Sequence, residues 1–295
     1  MIYLVQPKIH QTIADVIDSA RLRVTNHLFG SLQHKIFFAH LHKCGGTSVA
    51  KGIRSCYRTL DLTQERRLVS IDAAASLQAT LMHHSIEPSW QQDYFGDPHL
   101  VHQVLKHREE LLLYYMCNDS VQYVSGHFGF SPKIHQYFSE RYSFITLLRD
   151  PVERVISLYY YNRYHSGAKP GIQDLQSYLK SRGEQNRGYY VRMLGGLAAD
   201  GDYTSRDAIA RAKQNLHKFA LIGCLEHLQD FVQKFELKFD HKLRVRTLNK
   251  SPRPKAIQED TENIRAEIRE LCAPDVEIYN YVLETFVQSK LTSKT

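Results

Sequence analysis

The sequence predicts an α/β fold built on a mainly parallel sheet. Three observations carry the expectation. Short apolar runs that read as buried strands alternate along the chain with segments of helical spacing. The strongest run, Phe144-Ile145-Thr146-Leu147-Leu148, leads directly into the clearest helix start in the sequence. A second run, Ile36-Phe37-Phe38-Ala39, leads through a glycine-containing turn into an amphipathic helix.

The elements follow in order. Residues 9–29 have helical spacing through Ile13, Val16, Ile17, Ala20, Leu22 and Val24, and Gly30 is placed to end that helix. After the strand at Ile36–Ala39, Val49, Ile53, Cys56 and Tyr57 fall on one helical face. Residues 61–118 are polar, rich in His and Gln and mostly helical in pattern, an insertion broken between Pro88 and Pro98. Val121–Val124 reads as a strand, and 144–148 as a stronger one. Asp150 is then suited to cap a helix, with Pro151 at its first position and Glu153 at its third, a capping box with Asp in place of Ser or Thr. Val152, Val155, Ile156, Tyr159 and Tyr160 form the buried stripe of that helix. Further helices are expected at 172–182, 204–218 and 225–236, and further strands at Leu221-Ile222-Gly223 and Leu243–Leu248. Residues 261–289 close the chain as one or two helices, broken before Pro274. No repeat or linker divides the chain, so 1–295 reads as one domain.

Composition narrows the class of function. Of 295 residues, 43% are apolar and 23% charged, which excludes a disordered or fibrous protein. Lys plus Arg is 38 against 31 Asp plus Glu, and the resulting +7 points to an anionic partner: nucleic acid, a membrane surface, an acidic polysaccharide or a phosphorylated small molecule. No stretch approaches the ~18 apolar residues of a membrane span. The opening MIYLVQPK is too short an apolar run for a signal-peptide core, and no small-residue cleavage site follows. Cys44, Cys56, Cys117, Cys224 and Cys272 are odd in number and scattered, without a CxxC pair. Neither a disulfide framework nor a zinc knuckle is supported, and reduced thiols in a cytoplasmic compartment are expected. A secretory-pathway lumen stays open for a chain separated from an anchor. His83, His84, His99, His102 and His107 read as surface histidines, since no carboxylate or Cys completes a ligand set.

Two segments carry chemistry. In His40-Leu41-His42-Lys43-Cys44-Gly45-Gly46-Thr47-Ser48, two glycines let the backbone turn tightly beside a ligand. The helix that follows offers unpaired N–H groups and the positive end of its dipole. Lys43 adds a cation, and Thr47 and Ser48 add hydroxyls, which together make an anion cradle suited to phosphate. This is not a Walker A loop, GxxxxGK[ST], because Lys43 precedes the glycines and no upstream Gly completes the pattern. The plainer reading is a strand–turn–helix with a capping hydroxyl. In the second segment, Arg149 sits at the end of the strong strand, where open α/β sheets bind ligands, and Ser157 lies two turns into the next helix. Asp150 occupies the helix start, so an anion should sit beside that helix between Arg149 and Ser157. The plainer reading pairs Arg149 with Asp150 or Glu153.

Together the two segments resemble the 3′-phosphoadenosine 5′-phosphosulfate (PAPS)-dependent sulfotransferases, and most closely the carbohydrate branch with the heparan sulfate 2-O- and 6-O-sulfotransferases and their bacterial relatives. HLHKCGGTS looks like that family's 5′-phosphosulfate loop, usually HIPKTGGTS, and RDPVERVISLYYY like its 3′-phosphate motif. Gly126-His127, Asn186-Arg187 to Met193-Leu194, Leu221-Ile222-Gly223 and Leu248-Asn249-Lys250-Ser251 extend the likeness over about residues 34–285. His42 departs from the usual Pro. The resemblance implies a P-loop-NTPase-like parallel sheet flanked by helices. It also implies sulfuryl transfer from PAPS to an acceptor hydroxyl, leaving adenosine 3′,5′-bisphosphate.

Under that resemblance Lys43 neutralises charge on the bridging oxygen, and the backbone of Cys44, Gly45, Gly46, Thr47 and Ser48 holds the 5′-phosphate. Arg149 and Ser157 hold the 3′-phosphate, and Lys250 and Ser251 line the nucleotide site. The scheme requires no metal. His127, just past a strand and flanked by glycines, is the candidate base, as the Gly-His of the uronyl 2-O-sulfotransferases is. Arg192 is placed to touch donor or acceptor. The acceptor is expected to be a glycan, by the resemblance alone. Two alternatives remain: a P-loop kinase or NTPase, and a non-enzymatic binder of an anionic polymer. RNA-module signatures are absent, and the basic excess needs no nucleic acid. Lys242, Arg244, Arg246, Lys250, Arg253 and Lys255, with no acidic residue between 242 and 255, give +6 of the +7.

Overall fold

The computed structural model describes residues 20–21, 23–24, 30–58, 67–87, 97–164, 174–196, 201–246 and 261–288. Most of the helix read over 9–29, the chain at 88–96, and Lys250 and Ser251 with the rest of 247–260 lie outside them.

Among the described residues five strands form one parallel sheet: β1 (Lys35–Ala39), β2 (Arg67–Ile71), β3 (Val121–Gly126), β4 (Tyr142–Leu148) and β5 (Leu221–Cys224). Their order is β2-β3-β1-β4-β5, so β1 is central. In register, Phe37 lies beside Val124 on one flank and Phe144 on the other. The helices are α1 (Gly46–Cys56), α2 (Ala73–His83), α3 (Pro98–Met116), α4 (Pro132–Phe138), α5 (Pro151–Tyr164), α6 (Leu175–Arg182), α7 (Tyr189–Gly195), α8 (Arg206–Leu216), α9 (Leu228–Phe239), α10 (Glu262–Leu271) and α11 (Ala273–Val282).

Period-two alternation in β1 splits the core into two layers. Ile36 and Phe38 pack with Val49 and Ile53 of α1 and Phe231 and Phe235 of α9. Phe37 and Ala39 pack on the other face with Met116, Ile134, Leu216 and Ile278. Helices α1 and α9 therefore cover one face, and α3, α4, α8 and α11 cover the other. Chain leaving the sheet parts at β1, which opens a crevice beyond its C-terminal end, the place where open α/β sheets bind ligands.

The α/β architecture is the one expected from the sequence, with differences in detail. The insertion at 61–118 is helical in α2 and α3 but also contributes β2. Arg67-Leu68-Val69-Ser70-Ile71 is an edge strand with only Ile71 buried, so its apolar signal is weak. Residues 243–246 form no strand, although Leu243 is buried against α1. The capping box at α5 is half made. Asp150 Oδ1 accepts the Glu153 N–H at 3.0 Å, but the Asp150 N–H goes to Glu226 at 3.1 Å. Glu153 is drawn instead to Arg265 at 2.6 Å and Arg149 at 3.5 Å. The closing segment breaks at Cys272, with Pro274 in the first turn of α11, where a missing N–H costs nothing.

Candidate functional site

The site begins with the turn between β1 and α1. Lys43 and Gly45 both have left-handed backbone, at φ 64° and 73°. The strain at Lys43 is the kind that a binding loop holds in place. Gly45 precedes α1 without any side-chain cap, and no acidic residue lies in the first turn. The positive end of α1 is thus presented to the crevice without a competing anion. A Cβ on Gly46 would stand 2.0 Å from the His40 ring, so only glycine lets α1 start this close to β1. Cys44 and Gly46 are buried, Ser48 is half-buried and Thr47 is exposed.

The second motif comes alongside. Arg149, at the end of β4, donates from its guanidinium to the Lys43 carbonyl at 3.3 Å, so the structure brings the two segments together. Glu153 Oε2 lies 3.5 Å from the same guanidinium, as the plainer reading had it. Arg149 Nε is buried without a hydrogen-bond partner, an orphaned donor that fits an anion at this point. Ser157 is buried on α5.

Lys43 Nζ lies 4.0 Å from the centre of the Tyr161 ring. Burial first, and then the charge of Arg149, lower its pKa to about 8. Cys44 is an inert packing thiol, 3.4 Å from the Tyr190 hydroxyl and pushed up to about 11 by burial.

His127 stands at the end of β3 across the crevice. Its Nδ1 lies 2.7 Å from the His40 carbonyl, which can only accept, so Nδ1 carries the proton and Nε2 is the free acceptor of the neutral ring. Burial lowers its pKa to about 4, with Arg108 and Lys43 adding to the effect. Arg108 donates to the His127 carbonyl and, at 2.8 Å, to Ser76 Oγ, which ties the loop after β3 to α2 and α3.

Beside His127 lies a cavity of about 290 Å³. Leu77, Val104, Leu105, Leu158 and Met193 give it an apolar floor. Among the described residues its ionisable lining is Arg108, Arg154, Arg182 and Arg192 with His42 and His127, along with tyrosines and no carboxylate. Tyr161 bridges this cavity to Lys43, while Tyr159 and Tyr160 are core.

Sequence reasoning missed the residues that lock the two loops. The Tyr189 hydroxyl accepts the His42 N–H at 2.7 Å. The Tyr190 hydroxyl accepts the Arg149 N–H at 3.1 Å and donates to the Arg149 carbonyl at 2.5 Å. The fully buried Asp275 carboxylate in turn accepts the N–H groups of Tyr189 at 3.0 Å and Tyr190 at 2.6 Å, and so caps α7. Burial raises its pKa to about 6. Arg154 was also missed. It is 1% exposed, donates to Asn186 at 3.1 Å and lies 4.2 Å from the centre of the Tyr189 ring. The stretch 186–194 was the local signal for Tyr189 and Tyr190, and Arg154 lies within the RDPVERVISLYYY segment.

Comparison with known proteins agrees with the geometry. The sequence model of the sulfotransferase family matches residues 26–282. Heparan sulfate 2-O-sulfotransferase 1 of Mus musculus is 26% identical over 166 residues, which is 48% of this chain and 47% of that protein. The same protein of Homo sapiens matches at the same identity and extent. The aligned region spans about half the length of these curated relatives.

Proposed function

The chain belongs to the sulfotransferase family, and from that premise we propose that it transfers a sulfuryl group from PAPS to a hydroxyl of a carbohydrate acceptor, within a single domain. The observation that carries the reading is the meeting of the two loops. The Lys43–Ser48 turn, with its uncapped helix start, is hydrogen-bonded to Arg149 beside a cavity that His127 enters from the other side.

Sulfuryl transfer resembles phosphoryl transfer in leaving the protein mainly positioning and charge stabilisation to perform. In this reading the backbone N–H groups at the start of α1 hold the 5′-phosphate of the donor. Lys43 answers the charge that grows on the bridging oxygen as the sulfur–oxygen bond breaks. Arg149, with its unused Nε, and Ser157 take the 3′-phosphate, and Lys250 and Ser251 complete the nucleotide site. His127 Nε2 removes the acceptor proton as the new oxygen–sulfur bond forms. No step calls for a metal. The five free thiols fit a reducing, cytoplasmic compartment. No described helix is long and apolar enough to cross a membrane.

The test uses radiolabelled PAPS with a panel of glycans, lipids and small alcohols, alongside calorimetry with adenosine 3′,5′-bisphosphate. Binding of the bisphosphate and transfer to a sugar hydroxyl are expected. Lys43→Ala and Arg149→Ala should each lose on the order of 10²-fold or more in kcat/KM, the scale for a preorganised charge-stabilising donor. Absence of bisphosphate binding by the wild-type protein would overturn the reading.

A further inference from the structure

Lys43 is the cation on which the proposed chemistry turns, and no carboxylate pairs with it among the described residues. What its ammonium meets instead is the face of Tyr161, with Nζ 4.0 Å from the ring centre. That is contact distance for a cation on the negative face of an aromatic ring. Tyr161 lies on α5 one turn beyond Ser157, so both side chains leave the same side of that helix. The ring also lines the cavity shared by His42 and His127, and the edge-on His42 ring is centred 6.4 Å away. Tyr161 thus stands between the anion cradle and the cavity, with Lys43 against it.

The titratable groups around Lys43 otherwise oppose its charge. Arg149, from the end of β4, donates to the Lys43 carbonyl and repels the ammonium. His40 and His42 of the same loop, and His127 from the end of β3, face Lys43 and would add to the repulsion if protonated. Cys44 would help only as a thiolate, and burial keeps it a thiol. Lys43 is itself half-buried. A carboxylate here would support the charge, but it would also repel the phosphates of the donor. A ring face attracts the ammonium without carrying net charge, so it supports the cation and leaves it free to turn to an anion.

We propose that Tyr161 is a positioning residue for the transfer, whose ring keeps the Lys43 ammonium charged and held at the junction of donor loop and acceptor cavity until the donor takes it over. The proposal rests on the sulfuryl-transfer reading. The ring does this and not the hydroxyl, so phenylalanine should serve in its place and an aliphatic side chain should not. Tyr161 is 38% exposed, so the exchange leaves no buried void to unsettle the fold.

The test follows Lys43 by the protons taken up when adenosine 3′,5′-bisphosphate binds, read by calorimetry in buffers of different ionisation enthalpy. Uptake should grow through about pH 8 in the wild type, where free Lys43 loses its proton, and should be missing in Lys43→Ala. Both Tyr161 variants should bind the bisphosphate. Tyr161→Phe should take up protons as the wild type does, and Tyr161→Leu, which removes the ring, should do so about one pH unit lower. With PAPS and an acceptor found in the panel, kcat/KM of Tyr161→Leu should then be down about fivefold near pH 8 and close to wild type near pH 6. A loosened or misfolded site would give a loss without that pH dependence. Uptake by Tyr161→Leu at the wild-type pH, or a Tyr161→Phe shifted as far as Tyr161→Leu, overturns the role of the ring while the donor reading stands. A wild-type protein that does not bind the bisphosphate overturns the donor reading itself, and this role with it.

Discussion

Lys43 and His127 are tuned by the same cause to opposite charge states. Burial lowers both pKa values, to about 8 for Lys43 and about 4 for His127, which leaves the lysine charged and the histidine neutral near pH 7. The expected pH profile of kcat/KM follows. It should rise through about pH 4 as His127 deprotonates, run flat across neutrality, and fall through about pH 8 as Lys43 loses its charge. Bound PAPS puts negative charge beside Lys43, so the alkaline limb of kcat alone should move to higher pH. Initial rates between pH 4.5 and 9.5 check this, and an acid limb near 6.5 would contradict the role given to His127. Lys43, Gly45, Gly46, Arg149 and His127 were legible because the local sequence shows glycines, a cation and strand ends in one place. Tyr189, Tyr190 and Asp275 were not. Their hold on the loops depends on contacts across 41, 85 or more residues, and such contacts leave no local spacing to read. Arg154 was hidden differently, as a cation inside an apolar helix stripe.

At the scale of elements, the site is a matter of how closely α1 approaches β1. Gly46 allows the His40 ring to lie against the helix start, and the His40 carbonyl fixes the tautomer of His127. Gly46→Ala places a methyl where that ring now sits, so the His40 side chain must turn away and the packing of its ring on His127 is lost. The variant should stay folded, with kcat reduced by about 10²-fold or more, the general-base scale, and bisphosphate binding weakened in parallel. Circular dichroism and calorimetry on the purified variant measure both, and full activity would show that the close approach is dispensable. The helices that flank the sheet were readable from their apolar faces, as with Val49, Ile53 and Cys56 of α1. The two shortest, α4 and α7, escaped because seven residues show barely two turns of period. Strand β2 escaped because an edge strand exposes much of what would otherwise mark it as apolar.

For the molecule as a whole, three half-buried histidines packed as one cluster set the response to acid. The pKa of His40 is lowered to about 3, that of His127 to about 4, and that of His42 well below its ordinary value, each chiefly by burial. The unfolded chain binds protons at these groups below about pH 6.5, and the folded chain does not until near pH 4. Their contribution is fully present above 6.5 and is lost as pH falls. Asp275 acts in the other direction. Its raised folded pKa of about 6 favours the folded state as pH falls below that value. With three groups against one, the melting temperature should drop between pH 7 and pH 4.5. His40→Phe, which keeps the stack on Phe38, should flatten the slope, and differential scanning calorimetry reads both. The central position of β1 also bears on how the protein comes into being. Its partners are strands roughly a hundred residues downstream, as in the 2.9 Å bond from Thr146 Oγ1 to the Ala39 carbonyl across 107 residues. Chain this distant must be closed into a loop before any pairing rewards it, so such topologies assemble slowly. A nascent chain ending before Leu148 would hold the Lys43 turn without its Arg149 partner. Activity should therefore appear only after β4 and the helices that follow it have left the ribosome.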